Sequence, residues 1–212
     1  SESLENYKAA EVIDPNNSIV LSKLGQIYLN KKQDKKARNA FERAIKLNPN
    51  DSKSHYHLGK LVSVEKKWDR AQSLLSNAVS LDVAHAPSYY ELGKVLLAKG
   101  EVNLSLNKFK KSLELSPDNP GYLIGLTSAL IEKKELDKAL KILLDVSGKK
   151  PKDPELLHAL CNVYTKKGSL TVAINYCEKA LEFRPKLYKS MNRLAWLYAK
   201  KKIKLVKAVE LS

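Results

Sequence analysis

The stretch LGQIYLNKK, residues 24–32, places a glycine, Gly25, inside an otherwise amphipathic helical pattern and ends in two lysines. A glycine within a helix costs about 1 kcal/mol relative to alanine, so packing elsewhere must offset it. Leu24-Gly25 recurs as Leu58-Gly59 and Leu92-Gly93, one 34-residue step apart each time. The next steps fall on Leu126-Thr127, Leu160-Cys161 and Leu194-Ala195, which keep the leucine beside a small residue. Three residues after the small position come Tyr28, Val62, Leu96, Leu130, Tyr164 and Tyr198; twelve after it come Ala37, Ala71, Ser105, Ala139 and Ala173. Large apolar residues follow at Phe41, Leu75, Phe109 and Leu143, with Cys177 in the same register, and compact ones at Ala44, Ala78, Ser112, Val146 and Ala180.

Each unit closes on a short turn: NPND at 48–51, DVAH at 82–85, SPDN at 116–119, KPKD at 150–153 and RPKL at 184–187. Proline, present in four of the five, stops one helix, and a following Asn or Asp, where there is one, can cap the next. Each unit therefore reads as two antiparallel helices whose close approach is permitted by the small residue.

This small-large-small pattern with its closing turn resembles the tetratricopeptide repeat family over the whole chain. The resemblance implies an all-α fold, a right-handed superhelical solenoid of antiparallel helix pairs, with repeats at 18–51, 52–85, 86–119, 120–153 and 154–187. Residues 1–17 match the second helix and turn of a preceding repeat, with Tyr7, Ala10 and Pro15 in place. Residues 188–212 open a sixth repeat, cut short, with one extra residue near Ile203. A chain that starts and stops inside repeats is expected to be part of a longer solenoid, whose open ends would self-associate.

With 43% hydrophobic residues and only eight glycines and eight prolines, the 212 residues can build a core and leave little for a disordered linker. The net charge of +15 fits a nucleic-acid binder, a membrane-surface protein, a reader of acidic partners or simply a lysine-rich proteome. No apolar run approaches the ~18 residues needed to cross a bilayer. The chain lacks an initiator methionine, so a trimmed signal or anchor stays open, and the compartment is undecided with the cytoplasm slightly favoured. Cys161 and Cys177 match neither a C-x-x-C metal motif nor a disulfide-stapled secreted domain and read as reduced core thiols.

In the family the first helix of each repeat lines a concave groove that binds extended peptides or partner helices. Projecting those helices selects Gln26, Asn30, Tyr56, Lys60, Tyr90, Lys94, Ser128, His158, Asn162, Lys166, Asn192, Trp196 and Lys200. Tyrosine with nearby lysine suits a peptide carrying carboxylates and a few apolar side chains. The resemblance also offers two subtypes to compare. A chaperone-tail clamp would use Ser22, Gln26, His57, Pro87 and Glu91, a set without its cations and with an acid in place of an arginine. An asparagine ladder, as in the arm of O-linked N-acetylglucosamine transferases, would fall on Lys23, His57, Glu91, Gly125, Ala159 and Arg193, where there is none.

The lysines recur at the same turn: Lys31, Lys32, Lys66, Lys67, Lys99, Lys133, Lys134, Lys167, Lys201 and Lys202. A cation at a helix C-terminus gains about 0.3–1 kcal/mol from the macrodipole, which explains one lysine per turn and leaves the second over. On a stacked solenoid these turns would form a basic edge able to meet phosphate, anionic lipid or an acidic protein. His158 and Cys161, one turn apart, with Cys177 on the partner helix, suggest a metal or redox site only weakly, since both cysteines sit at packing positions. His55 and His57, two apart, face different ways. Trp68 reads as packing. No phosphate loop, nucleophile elbow or acid/base pair is found, so neither catalysis nor a cofactor is expected. The reading is a scaffold binding a partner of acidic character in its groove, as a module of a larger assembly. One alternative is a nucleic-acid or anionic-surface binder using the basic edge, against which the 34-residue period departs from the 35-residue unit of pentatricopeptide RNA readers. Another is the non-catalytic arm of a larger enzyme.

Overall fold

Helix starts and stops follow from the turn residues. The computed structural model describes residues 2–211, apart from the side chains of Leu205 and Leu211. Among the described residues there are thirteen helices and no strand. After α1 (Glu2–Ile13) come α2 (Ser18–Asn30), α3 (Asp34–Leu47), α4 (Ser52–Val64), α5 (Trp68–Leu81), α6 (Ala86–Ala98) and α7 (Val102–Leu115). Then come α8 (Pro120–Glu132), α9 (Leu136–Lys149), α10 (Pro154–Lys166), α11 (Leu170–Phe183), α12 (Tyr188–Lys201) and α13 (Leu205–Leu211). The side chains of Asn17, Asp51, Asn119 and Asp153 accept backbone N–H bonds at the starts of α2, α4, α8 and α10, satisfying donors that would otherwise be orphaned.

The helices gather into two compact units, one running to Pro117 and the other from Asp118 onward. In the first, α2 packs on α3, α4 on α5 and α6 on α7, with α3 against α4 and α5 against α6; α2, α4 and α6 also touch in series. In the second, α8 packs on α9 and α10 on α11, α12 meets α11 and α13, and α8, α10 and α12 touch in series.

Gly25 now has its explanation. A methyl built on Gly25 would lie 2.5 Å from the Phe41 ring, one on Gly93 would lie 2.8 Å from the Phe109 ring, and one on Gly59 would lie 2.8 Å from the Leu75 side chain. Phe41, Leu75 and Phe109 are fully buried, so each ring or branched chain fills the space the glycine vacates. The same register, sixteen residues apart, holds Thr127 and Leu143, both buried, in the second unit.

At the next step of this register the expectation of reduced thiols is corrected. Cys161 and Cys177 are joined by a disulfide of 2.10 Å, with both residues fully buried. Cysteine suits both a small and an apolar packing position, but these two positions are the two sides of one interhelical contact, and the paired thiols bond there.

Every first helix ends the same way. The backbone N–H of Gln33, Lys67, Glu101, Glu135, Ser169 and Ile203 donates to the carbonyl five residues earlier, on Tyr28, Val62, Leu96, Leu130, Tyr164 and Tyr198. The residue just before each donor is left-handed: Lys32, Lys66, Gly100, Lys134, Gly168 and Lys202 all have positive φ between 55° and 81°. This is the Schellman closure, and it accounts for one lysine of each pair as the occupant of its left-handed position. After the last closure Lys204 also has positive φ, and α13 starts one residue later than the other second helices, which places the extra residue beside Ile203.

Three predictions follow from these contacts. Gly25→Ala or Gly93→Ala gains about 1 kcal/mol of helix propensity but overpacks a fully buried ring at about 1–3 kcal/mol, so thermal stability falls. Gly148→Ala, with open space around it, is neutral or stabilising by the same melting measurement. The disulfide closes a loop spanning 16 residues of sequence, for which chain entropy gives about 3 kcal/mol. Reduction should therefore lower the melting temperature of the wild type to that of a Cys161→Ser/Cys177→Ser variant. Identical melting with and without reductant would show two packed thiols.

Candidate partner-binding site

The first helices carry the projected residues, and the structure treats them unequally. In the first unit Gln26 and Tyr56 are half-buried, while Asn30 and Lys60 are exposed. Between α2 and α4, Leu29, Asn30, His57, Lys60, Leu61 and Val64 line a recess of about 350 Å³. Its apolar wall, Leu61 and Val64, and the His57 ring lay outside the projected set. Val64 is 79% exposed, an apolar side chain left uncovered at the mouth. Tyr56 packs edge-on against His57 and His85, each at 4.9 Å between ring centroids. Lys94 is already engaged, 2.7 Å from the Glu91 carboxylate and 5.4 Å above the Tyr90 ring.

In the second unit Ser128 turns its hydroxyl back to the Ile124 carbonyl at 2.7 Å and leaves no donor for a partner there. His158, Asn162, Trp196 and Lys200, by contrast, are drawn into one site by Arg193, which the sequence projection had missed as a contact residue. The Arg193 Nε–H donates to Asn162 Oδ1 at 3.0 Å. Because that N–H can only donate, the Asn162 amide must present its oxygen to Arg193 and its Nδ2 to His158 Nε2, 3.0 Å away. His158 Nε2 is then the acceptor, and Nδ1–H donates to Ser190 Oγ at 2.8 Å. His158, only 8% exposed, thus holds its neutral form in place by two hydrogen bonds. Burial, reinforced by the Lys189 charge and opposed by Glu155, pushes its pKa down to about 4. Arg193 also lies 5.9 Å from the Trp196 ring centroid, and the Lys200 ammonium lies 4.6 Å from it. Trp196 is 45% exposed and borders a recess of about 390 Å³ with Asn192, Ala195, Ala199 and Ala208. Lys166 is exposed and makes no ion pair among the described residues.

The turn lysines differ in their contacts. Lys99 reaches back 2.7 Å to Asp69 at the start of α5, and hydrogen bonding to that carboxylate holds its ammonium above the usual lysine range. Lys167 pairs likewise with Asp137 and Lys201 with the Thr171 hydroxyl, each 30 residues back, so these lysines tie one helix pair to the previous one. Lys67 pairs with Glu65 and Lys133 with Glu135. Lys31 and the left-handed Lys32, Lys66, Lys134 and Lys202 are exposed and have no ion pair among the described residues.

Profiles of the tetratricopeptide repeat match residues 18–51, 102–162 and 154–187. The chain belongs to the tetratricopeptide repeat family. No curated protein matches its sequence. Solved structures with the same fold include a tetratricopeptide repeat protein from Parabacteroides merdae, with TM-score 0.86 and 16% identity over 98% of this chain and 82% of that one. YrrB, a tetratricopeptide repeat protein with an unusual peptide-binding site, aligns with TM-score 0.73 and 19% identity over 93% of this chain and 99% of its own. A chain of the APC/C hetero-tetramer Cut9–Hcn1 aligns with TM-score 0.78 and 19% identity, and there this repeat protein spans all of its own length but 43% of the other. At these identities the likeness is one of fold. Among the described residues of the repeat protein, no helix is long and apolar enough to cross a membrane.

Two histidines of these faces give a pH signature. Burial, with Lys60 and His85 adding to it, pushes His57 down to about 4, as His158 is pushed. Above pH 6.5 both are neutral whether folded or not. Between about 6.5 and 4 only the unfolded chain takes up their protons, so stability falls as the pH drops through that window and loses nothing more from them below it. Thermal melts from pH 7 to 4.5 should show this fall, and His57→Phe should make it shallower between pH 6.5 and 5. An unchanged slope would mean that His57 titrates in the folded state as it does in the open chain.

Proposed function

We propose that this tetratricopeptide repeat protein is an interaction scaffold, with 18–51, 52–85, 86–119, 120–153 and 154–187 as its repeats. It takes a peptide or helix of acidic character along its first-helix faces and works as one module of a protein assembly. The observation that carries this reading is the pairing of open cations with uncovered apolar surface on those faces. Lys60 borders the Leu61 and Val64 wall, and Lys200 lies over Trp196. Neither lysine has a carboxylate partner among the described residues. Such a surface offers a partner's acidic residues a countercharge and its apolar residues a recess. The peptide-binding site of YrrB, a protein of the same fold, supports the reading. The function proposed is a binding one, and it needs no reacting group.

A specific observation favours a second reading, anion binding along the turn edge. A lysine in the left-handed conformation costs about 1–2 kcal/mol that glycine does not, and the macrodipole returns only about 0.3–1. Lysine nevertheless stands there at Lys32, Lys66, Lys134 and Lys202, where Gly100 and Gly168 show that glycine fits.

One experiment separates the readings. Binding of an acidic, leucine-containing peptide pool and of a 20-nucleotide single-stranded DNA would be measured on the wild type, on Lys60→Glu/Lys200→Glu and on Lys32→Gly/Lys66→Gly. The scaffold reading expects peptide binding that the first variant loses and the second keeps. The second variant should also melt higher, by up to about 1 kcal/mol per site, because its turns are relieved. DNA binding that only the second variant loses, with no peptide bound by the wild type, would overturn the scaffold reading in favour of the edge.

A further inference from the structure

The contact between paired helices changes character at one place. At the other steps of the register a small residue meets a large one: Gly25 and Phe41, Gly59 and Leu75, Gly93 and Phe109, Thr127 and Leu143. At Cys161 and Cys177 both partners are of middling size. As free thiols they would misfit the contact from both sides, since Cys161 is bulkier than the glycines and Cys177 fills less space than a leucine or phenylalanine. The bond between them makes the two side chains one group and removes the misfit. It lies in a core that α10 and α11 share with α12 and α13, among Ile174, Leu194, Leu197, Tyr198 and Ala208. Both cysteines of the chain are in this bond, and neither has exposed surface.

Burial decides when such a bond can form. In thiol–disulfide exchange the thiolate of one cysteine attacks a sulfur of the oxidant's own disulfide, releasing one thiol and leaving the other half of the oxidant on the protein. The second cysteine's thiolate then attacks the protein sulfur of that mixed disulfide and releases the second thiol. Two electrons pass to the oxidant, and the two protons of the protein thiols end on the released thiols. The packed contact has no room for the oxidant's half and no path to either sulfur. The exchange therefore precedes the closing of α10 on α11, and the reverse exchange with a reducing thiol is shut off once they have closed.

We propose that Cys161–Cys177 is a permanent lock on the second unit, closed by a disulfide oxidant while the chain is still folding, and that this repeat protein works in an oxidising compartment. A reducing cytosol keeps the thiols of an open chain reduced and offers them no such oxidant. The first unit contains no cysteine, so its helix pairs close without oxidation. The lock stands apart from the scaffold reading: it concerns where and how the second unit is built, and not what it binds.

The test has two arms. In the first, cells that naturally produce the protein are quenched in acid and dissolved in denaturant with a maleimide, which labels every free thiol, and the mass of the whole chain is read. The lock predicts a mature chain with no maleimide on either cysteine. In the second, the purified oxidised chain is exposed to dithiothreitol in native buffer and in urea, and the thiols released are followed with time. Reduction in native buffer should be at least about a hundredfold slower than in urea, because the sulfurs become reachable only when the helix pair opens, as it also does on melting. A mature chain carrying two maleimides would overturn the compartment. Native reduction at the rate seen in urea would overturn the lock, because the bond could then be opened and closed in the folded protein.

Discussion

The structure depends on one contact, repeated: a small residue on the first helix of each pair and a larger one sixteen positions later on the second. Where the small residue is glycine, the space of the missing Cβ is filled by the side chain opposite, Phe41, Leu75 or Phe109. The helices approach until backbone meets side chain, and the propensity lost at the glycine is recovered as dispersion and apolar burial. Cys161 and Cys177 occupy the same two places and replace that contact with a covalent one. Because the contact fixes the distance within a pair, it also fixes which side chains of the first helices are left outside it.

The second constraint is the turn. Six first helices close by the same left-handed residue, which aims the second helix back along the first and places a backbone donor on the carbonyl of the residue three after the small position. The preceding lysines, Lys99, Lys167 and Lys201, then reach the second helix of the previous pair. One short stretch of sequence therefore ends a helix, starts a turn and joins neighbours. On the first-helix faces the cations differ. Lys94 is satisfied by Glu91, whereas Arg193 and Lys200 are held in place without a countercharge.

The helix pairs were legible in the sequence because the contact that makes them is periodic and chemically narrow: Gly25, Gly59 and Gly93 admit no substitute that leaves Phe41, Leu75 and Phe109 in place. The disulfide was harder to see, since a cysteine satisfies a small position and an apolar one equally, and only the sixteen-residue register shows that the two face each other. Arg193 was missed for a different reason. It stands one place before Leu194, outside the helical stripe used for projection, and enters the site only through a hydrogen bond to Asn162, 31 residues away. Lys32, Lys66, Lys134 and Lys202 had no role in a reading by charge, because their role is a backbone angle. Recesses such as that beside Val64 depend on how adjacent helices are spaced, which the pattern within one repeat does not fix.

The most direct measurement of the central claim is a double-mutant cycle between Gly59→Ala and Leu75→Ala, followed by equilibrium denaturation. If the small and large residues form one contact, removing the Leu75 side chain makes room for the added methyl. Gly59→Ala then costs less in the Leu75→Ala background, with a coupling of about 0.5–3 kcal/mol. Strictly additive effects would contradict the account, because the glycine would then be serving something other than the residue packed against it.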